Sequence, residues 1–175
     1  RNIKTYNMKI NNMNHLVWKQ SLFSNLISLQ NDIINGRLRK ESFSNRWSAA
    51  LNGVNLRMEA KGFIRQTVSV INESDNSLIA RSESALFSGS YQIVMASGQE
   101  YIWHHSGLKH RGWYISGPGG EVVKCKGRSN KGELLYENSA EVLVLLGFCL
   151  FSGHLRKNIL LLFLVIFTIF IWNFR

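Results

Sequence analysis

The chain has 175 residues, enough for one domain with a substantial core but too few for two ordinary domains plus a membrane segment. Its formal net charge of +10 favours contact with anionic surfaces such as phosphates, lipid headgroups or nucleic acid, although such charge also serves solubility alone. Cys125 and Cys149 have no CxxC spacing, which argues against a disulfide framework and fits a reducing compartment.

The N-terminal residues carry no clear structural pattern. We predict that residues 1–17 are a disordered or non-native extension and that residues 18–157 form the β domain. The apolar residues between Leu16 and Leu29 are interrupted by polar ones and precede no small-residue cleavage pattern. No signal peptide is therefore predicted.

From Leu26 to Tyr136 the chain consists of short β-branched and aromatic runs separated by turn residues about every ten positions. This pattern predicts a mainly β domain, either a closed antiparallel barrel or a strongly curved sheet. Consecutive strands are expected to pair as hairpins. The predicted turns are Gln30-Asn31-Asp32, Asn52-Gly53, Glu73-Ser74-Asp75-Asn76, Ser97-Gly98 and Gly117-Pro118-Gly119-Gly120.

A weak repeat with a period of about 45 residues divides this region into two related β-meander halves. Phe43-Ser44 followed by Trp47 is echoed by Phe87-Ser88 followed by Tyr91. In the same register Val68 matches Trp113, which is therefore predicted to be a core residue. Two copies and a partial earlier one favour a single closed sheet over a stacked array.

The segment Val142–Phe151 is apolar on every side, which predicts a buried helix within residues 140–152. Ser139 is its expected N-cap. The segment is about 15 Å long as a helix, half the thickness of a bilayer core, so it is placed inside the protein.

A second apolar segment follows an interruption at residues 152–158, where Gly153 is expected to end the first helix. Thr168 and Asn173 are the only polar residues between Ile159 and Phe174. We predict that residues 158–175 are a membrane anchor, with the β domain on the cytoplasmic side because of the cations Arg156 and Lys157. The alternative is that this segment packs in protein at a dimer interface.

The paired meanders, the repeated Phe-Ser before an aromatic strand and the short apolar helix resemble the tubby C-terminal-like superfamily. That group includes LURP-one-related proteins and phospholipid scramblases. The resemblance covers about Trp18 to Lys157 and implies a closed, roughly twelve-stranded barrel threaded by a hydrophobic helix. It also implies a bias toward lipid surfaces, whereas no motif transfers a particular ligand residue.

No catalytic constellation is visible. There is no nucleophile elbow and no phosphate-binding loop, and the carboxylates fall beside predicted turns. His104, His105, His110 and Cys125 lie in one basic region, but adjacent histidines on a strand point to opposite faces. We therefore predict no enzyme activity, no cofactor and no metal.

The expected function is a membrane-associated binding or scaffolding module that contacts anionic phospholipid headgroups. The alternatives are a soluble β domain that binds a protein partner or a second copy of itself, and single-stranded nucleic-acid binding through Trp103, Trp113 and Tyr114, which is not favoured. The candidate lipid or anion contacts are Lys109, Arg111, Lys124, Lys126, Arg128, Lys131, Arg156 and Lys157.

Overall fold

Strands with alternating buried and exposed side chains form the body of the protein. The computed structural model describes residues 13–20, 25–42, 44–62, 66–84, 89–106, 112–128 and 130–173. Among these residues, twelve antiparallel strands form one closed barrel in which the first strand pairs with the last. The strands are β1 (Met13–Gln20), β2 (Leu26–Gln30), β3 (Asn35–Lys40), β4 (Arg46–Leu51), β5 (Val54–Lys61), β6 (Thr67–Asn72), β7 (Leu78–Glu83), β8 (Ser90–Met95), β9 (Glu100–His105), β10 (Gly112–Gly117), β11 (Gly120–Arg128) and β12 (Lys131–Glu137).

One long helix, α1 (Glu141–Asn173), follows the barrel strands. Its first part fills the barrel, and the side chains from Leu143 to Leu150 other than Gly147 are almost completely buried. The mainly β fold predicted from the sequence, a closed antiparallel barrel around a short hydrophobic helical segment, is confirmed.

The hairpin turns lie where the sequence predicted them. Asn52 and Gly53 have φ angles of 50° and 79°, as the two central residues of a type I′ turn require. At the next hairpin on this side, the Asp75 carboxylate accepts hydrogen bonds from the backbone N–H and the hydroxyl of Ser77. Such side chains fix tight turns by bonding the local backbone.

The 45-residue repeat corresponds to a displacement of four strands around the barrel. Trp47 on β4 matches Tyr91 on β8, and Val68 on β6 matches Trp113 on β10. All four side chains are buried, which confirms the prediction that Trp113 is a core residue.

The barrel has two distinct ends. At one end of the barrel, which we call the exit end, the odd-numbered strands β1 to β11 finish and the even-numbered strands begin. It includes Gln20 at the end of β1 and Arg128 at the end of β11. The entry end is the opposite one, where β12 leads into α1. The helix enters here at Glu141 and leaves the barrel at the exit end, near Ser152.

Three sequence-based expectations are wrong in detail. Residues 13–17 are not disordered, because they belong to β1, which pairs with β12 and closes the barrel; residues 1–12 lie outside the described part. The two predicted helices are one, since α1 continues through Gly153. Ala140 rather than Ser139 occupies the N-cap position, because its carbonyl accepts the bond from Val144 N–H.

Candidate functional site

Beyond Ser152 the helix leaves the barrel and carries apolar side chains into the surroundings. The large apolar side chains exposed on this part range from 43% exposed at Leu155 to 83% at Trp172. By length and composition, α1 is the one helix in the described part of the chain that could cross a membrane, and none of its most apolar stretch is buried. A helix that is apolar all round needs cover from lipid or from protein.

A cavity of about 460 Å³ opens at the exit end, where α1 emerges between the ends of β3 to β6. Its lining contains two cationic side chains, Lys40 and Arg156, together with uncharged polar and apolar residues. The lining residues are Lys40, Asn45, Trp47, Ala60, Gly62, Gln66, Cys149, Ser152, Gly153, Arg156 and Leu160.

Lys40 points into the barrel because it follows Gly36 and Leu38 on the inward face of β3. Only 9% of its surface is exposed. Burial and, to a smaller extent, the nearby Arg156 guanidinium lower the pKa of Lys40. In the described part of the chain, neither cation forms an ion pair with an acidic side chain.

Further cations lie on the outside of the exit end. Lys19 on β1 is directly opposite Lys131 on β12, and Lys131 is also opposite Arg128 on β11. The side chains of Lys19 and Lys131 are exposed. Like charges directly opposite each other destabilise a sheet, so this rim is a region where an external anion would be stabilising.

Charge is separated along the barrel axis. Most acidic residues lie at or near the entry end, namely Asp32, Glu73, Asp75, Glu100, Glu121, Glu137 and Glu141. Among the described residues, the cations of the exit end are Lys19, Arg39, Lys40, Arg46, Lys61, Lys126, Arg128, Lys131 and Arg156, accompanied by Glu41, Glu59, Glu83 and Glu133. The positive end of the barrel is therefore the end from which the apolar helix emerges.

Some of the predicted contact residues belong to this end and others do not. Arg156 lines the cavity, and Lys126 and Lys131 are exposed near the exit end. Lys124 has a protein partner instead, because its Nζ lies 2.7 Å from Glu121 Oε2. The remaining predicted residues lie outside the described part or have only their backbone described: Lys109, Arg111, Arg128 and Lys157.

The two adjacent histidines of β9 point to opposite faces, as predicted. His104 stacks on Tyr114 with ring centroids 4.7 Å apart, whereas His105 stacks on His154 and Phe151 of α1. Burial lowers the pKa of His105. Among the described residues no group of three or more His, Cys, Asp or Glu side chains could hold a metal ion, and His110 lies outside them.

The aromatic residues proposed for nucleic-acid stacking are mostly core residues. Trp103 and Trp113 are 0% and 1% exposed. Trp103 packs edge-to-face with Tyr91, and Trp113 packs edge-to-face with Phe148 of α1. Neither indole can stack on a base without opening the barrel, so Tyr114 alone of the three has a partly exposed ring.

No family model, curated protein or solved structure matches this chain. The resemblance to the tubby C-terminal-like superfamily therefore stays a prediction.

Sequence reasoning missed Lys40 and Lys19. Both follow apolar residues at a spacing of two on their strands, Lys40 after Leu38 and Lys19 after Val17. The alternation would have placed Lys40 on the inward face had β3 been recognised as a strand.

Proposed function

We propose that this protein is a membrane-anchored, non-enzymatic binding or scaffolding module whose exit end lies against anionic phospholipid headgroups. One observation carries the proposal: the apolar helix leaves the barrel at the same end at which the cations collect. An anchor in this position would bring those cations to the membrane surface.

The dimensions of α1 support an anchor. From Ile159 to Asn173 the helix is about 22 Å long, somewhat shorter than a bilayer core of about 30 Å but within the range that local thinning of the bilayer accommodates. The hydroxyl of Thr168 donates to the carbonyl of Leu164 at 2.7 Å, so this polar group is satisfied within the helix. Trp172 lies near the far end, where an aromatic residue suits the membrane interface.

The charge distribution supports an orientation with the barrel in the cytoplasm. Cations beside a membrane segment tend to remain on the cytoplasmic side, and Arg156 lies at the near end of the exposed helix. The cytoplasmic leaflet carries anionic lipids, which attract a nearby Lys or Arg by about 1 kcal/mol each. The acidic entry end would then face away from the membrane.

The headgroup contact can be measured separately from the anchor. The chain truncated after Lys157 keeps the barrel and the helical segment that fills it, and circular dichroism checks that it folds. We expect it to float with vesicles containing phosphatidylserine, and to lose this binding as salt is raised. Binding to no vesicle of any composition would favour the alternative function, a domain that binds a protein partner.

A matched pair of double variants tests whether the position of the cations matters. Lys126→Gln with Lys131→Gln removes two positive charges at the exit end, and about 2 kcal/mol, or roughly 30-fold in affinity, should be lost. Arg37→Gln with Arg81→Gln removes the same charge from the middle of the barrel and should cost much less. Equal losses would show that only net charge matters.

A further inference from the structure

The cavity at the exit end has the chemical character of a lipid headgroup site. Lys40 and Arg156 supply positive charge, and Ser152 and Asn45 supply uncharged polar groups. Leu160 lines the same cavity and belongs to the exposed apolar part of α1. The polar interior thus continues directly onto an apolar helix surface.

The hydrogen bonding of Gln66 prepares one donor for the cavity. Its Oε1 accepts a hydrogen bond from the hydroxyl of Tyr91 at 2.9 Å. The side chain of Gln66 also lines the cavity, beside Gly153. With its oxygen accepting from Tyr91, this side chain has its N–H donors left for the cavity.

The two cations are expensive to hold together in the absence of an anion. Lys40 is nine-tenths buried, and in the described residues no carboxylate forms an ion pair with it or with Arg156. Desolvation and mutual repulsion both disfavour the charged pair. A bound anion would reduce the repulsion and provide charge-assisted hydrogen bonds that no carboxylate of the described residues provides.

We propose that this cavity binds the phosphate group of one anionic phospholipid, with Lys40 and Arg156 as its ligands and an acyl chain lying along α1 from Leu160 onward. The inference rests on the proposed membrane function and adds a single-lipid site to it. A free phosphate would use the cations equally well but would leave the apolar wall at Leu160 without a partner.

The test uses the full-length protein in detergent micelles and isothermal titration calorimetry with three probes. These are dioctanoyl phosphatidic acid, dioctanoyl phosphatidylcholine and inorganic phosphate. We expect saturable one-to-one binding of phosphatidic acid that is at least tenfold tighter than that of either other probe. Equal binding of inorganic phosphate and phosphatidic acid would overturn the lipid assignment, and binding of none would overturn the site.

Variants locate the site. Lys40→Met and Arg156→Gln should each weaken phosphatidic acid binding by about tenfold or more, as expected for a lost charged hydrogen bond. The matched control Arg81→Gln removes an exposed cation from the middle of the barrel, away from the exit end, and should bind phosphatidic acid normally. If Lys40→Met fails to fold, the exposed Arg156 decides the outcome alone, and unchanged binding by Arg156→Gln contradicts the proposal.

Membrane extraction of the same variants keeps the two proposals distinguishable. Lys40→Met should remain in the membrane pellet after carbonate treatment, because the anchor is intact. Loss of lipid binding with retained insertion is the result that the single-lipid site predicts. If the parent protein inserts into the membrane but binds no lipid, only the single-lipid site is overturned. If the parent protein does not insert, the anchor is overturned.

Discussion

The indole ring of Trp113 lies directly against Gly147, the glycine in the helical segment that fills the barrel. A side chain at this position would collide with the ring, which also packs edge-to-face with Phe148. Replacement of glycine by alanine within a helix ordinarily stabilises by about 1 kcal/mol. Here we expect Gly147→Ala to destabilise the barrel by about 1–3 kcal/mol, because the core is overpacked. Urea denaturation measures the change.

Gly153 on the same helix is the matched control. An added Cβ would be 3.0 Å from Nε2 of Gln66, which is the far end of a flexible side chain. Gly153→Ala should therefore be neutral or slightly stabilising. Equal destabilisation by both substitutions would show that the ring of Trp113 is not the cause.

The buried part of α1 should not tolerate charge. Leu145 is 0% exposed, so Leu145→Asp places an unpaired carboxylate in the core and should unfold the barrel, at a cost of at least 4 kcal/mol. Ile33 is 93% exposed at a turn, and Ile33→Asp should change stability by less than about 0.5 kcal/mol. Circular dichroism of the two variants compares them, and a folded Leu145→Asp variant would contradict the placement of the helix.

The burial of Lys40 should cost stability when no anion is bound. Lys40→Met removes a buried charge, and we expect it to stabilise the protein by about 0.5–2 kcal/mol near neutral pH. The pKa of Lys40 is lower in the folded state than its ordinary value, so the unfolded chain binds more protons and the parent protein gains stability as pH rises.

The difference in free energy of unfolding between the Lys40→Met variant and the parent protein should therefore shrink as pH rises toward about 10. Thermal denaturation at several pH values measures this difference, and the comparison cancels the other titrating groups. A difference that grows with pH would mean that Lys40 is stabilised as a cation in the folded state.

The two cysteines should be unreactive in the folded protein. Burial raises the pKa of the Cys149 thiol to about 12 and also raises that of Cys125. Both are free thiols, and both should react with iodoacetamide only after unfolding. Mass spectrometry of native and urea-unfolded samples measures the modification, and rapid labelling of native Cys149 would show that the cavity admits the reagent.

The barrel was predictable because its hairpin turns and alternating strands are local signals. The strand β1 also has such a signal, since Leu16 and Trp18 alternate with more exposed residues, but its residues 13–17 fall within the predicted disordered extension. The continuity of α1 was not predictable from Gly153. A glycine ends some helices, whereas in others it makes room for a neighbour, here the amide of Gln66.

The candidate site was only partly predictable. Arg156 stood out because it precedes the apolar segment, whereas Lys40 is distant in sequence. The cavity brings them together only after β3 and α1 meet at the exit end, which depends on the closure of the barrel. A list of basic residues cannot show which of them lack acidic partners.

Carbonate extraction of membranes from cells that express the chain tests the anchor most directly. The account predicts that the full-length protein stays in the membrane pellet, and that truncation after Asn158 releases a folded barrel into the supernatant. Recovery of the full-length chain in the soluble fraction as a monomer would contradict the account. Recovery as a soluble dimer would show that a second copy, rather than lipid, covers the apolar helix.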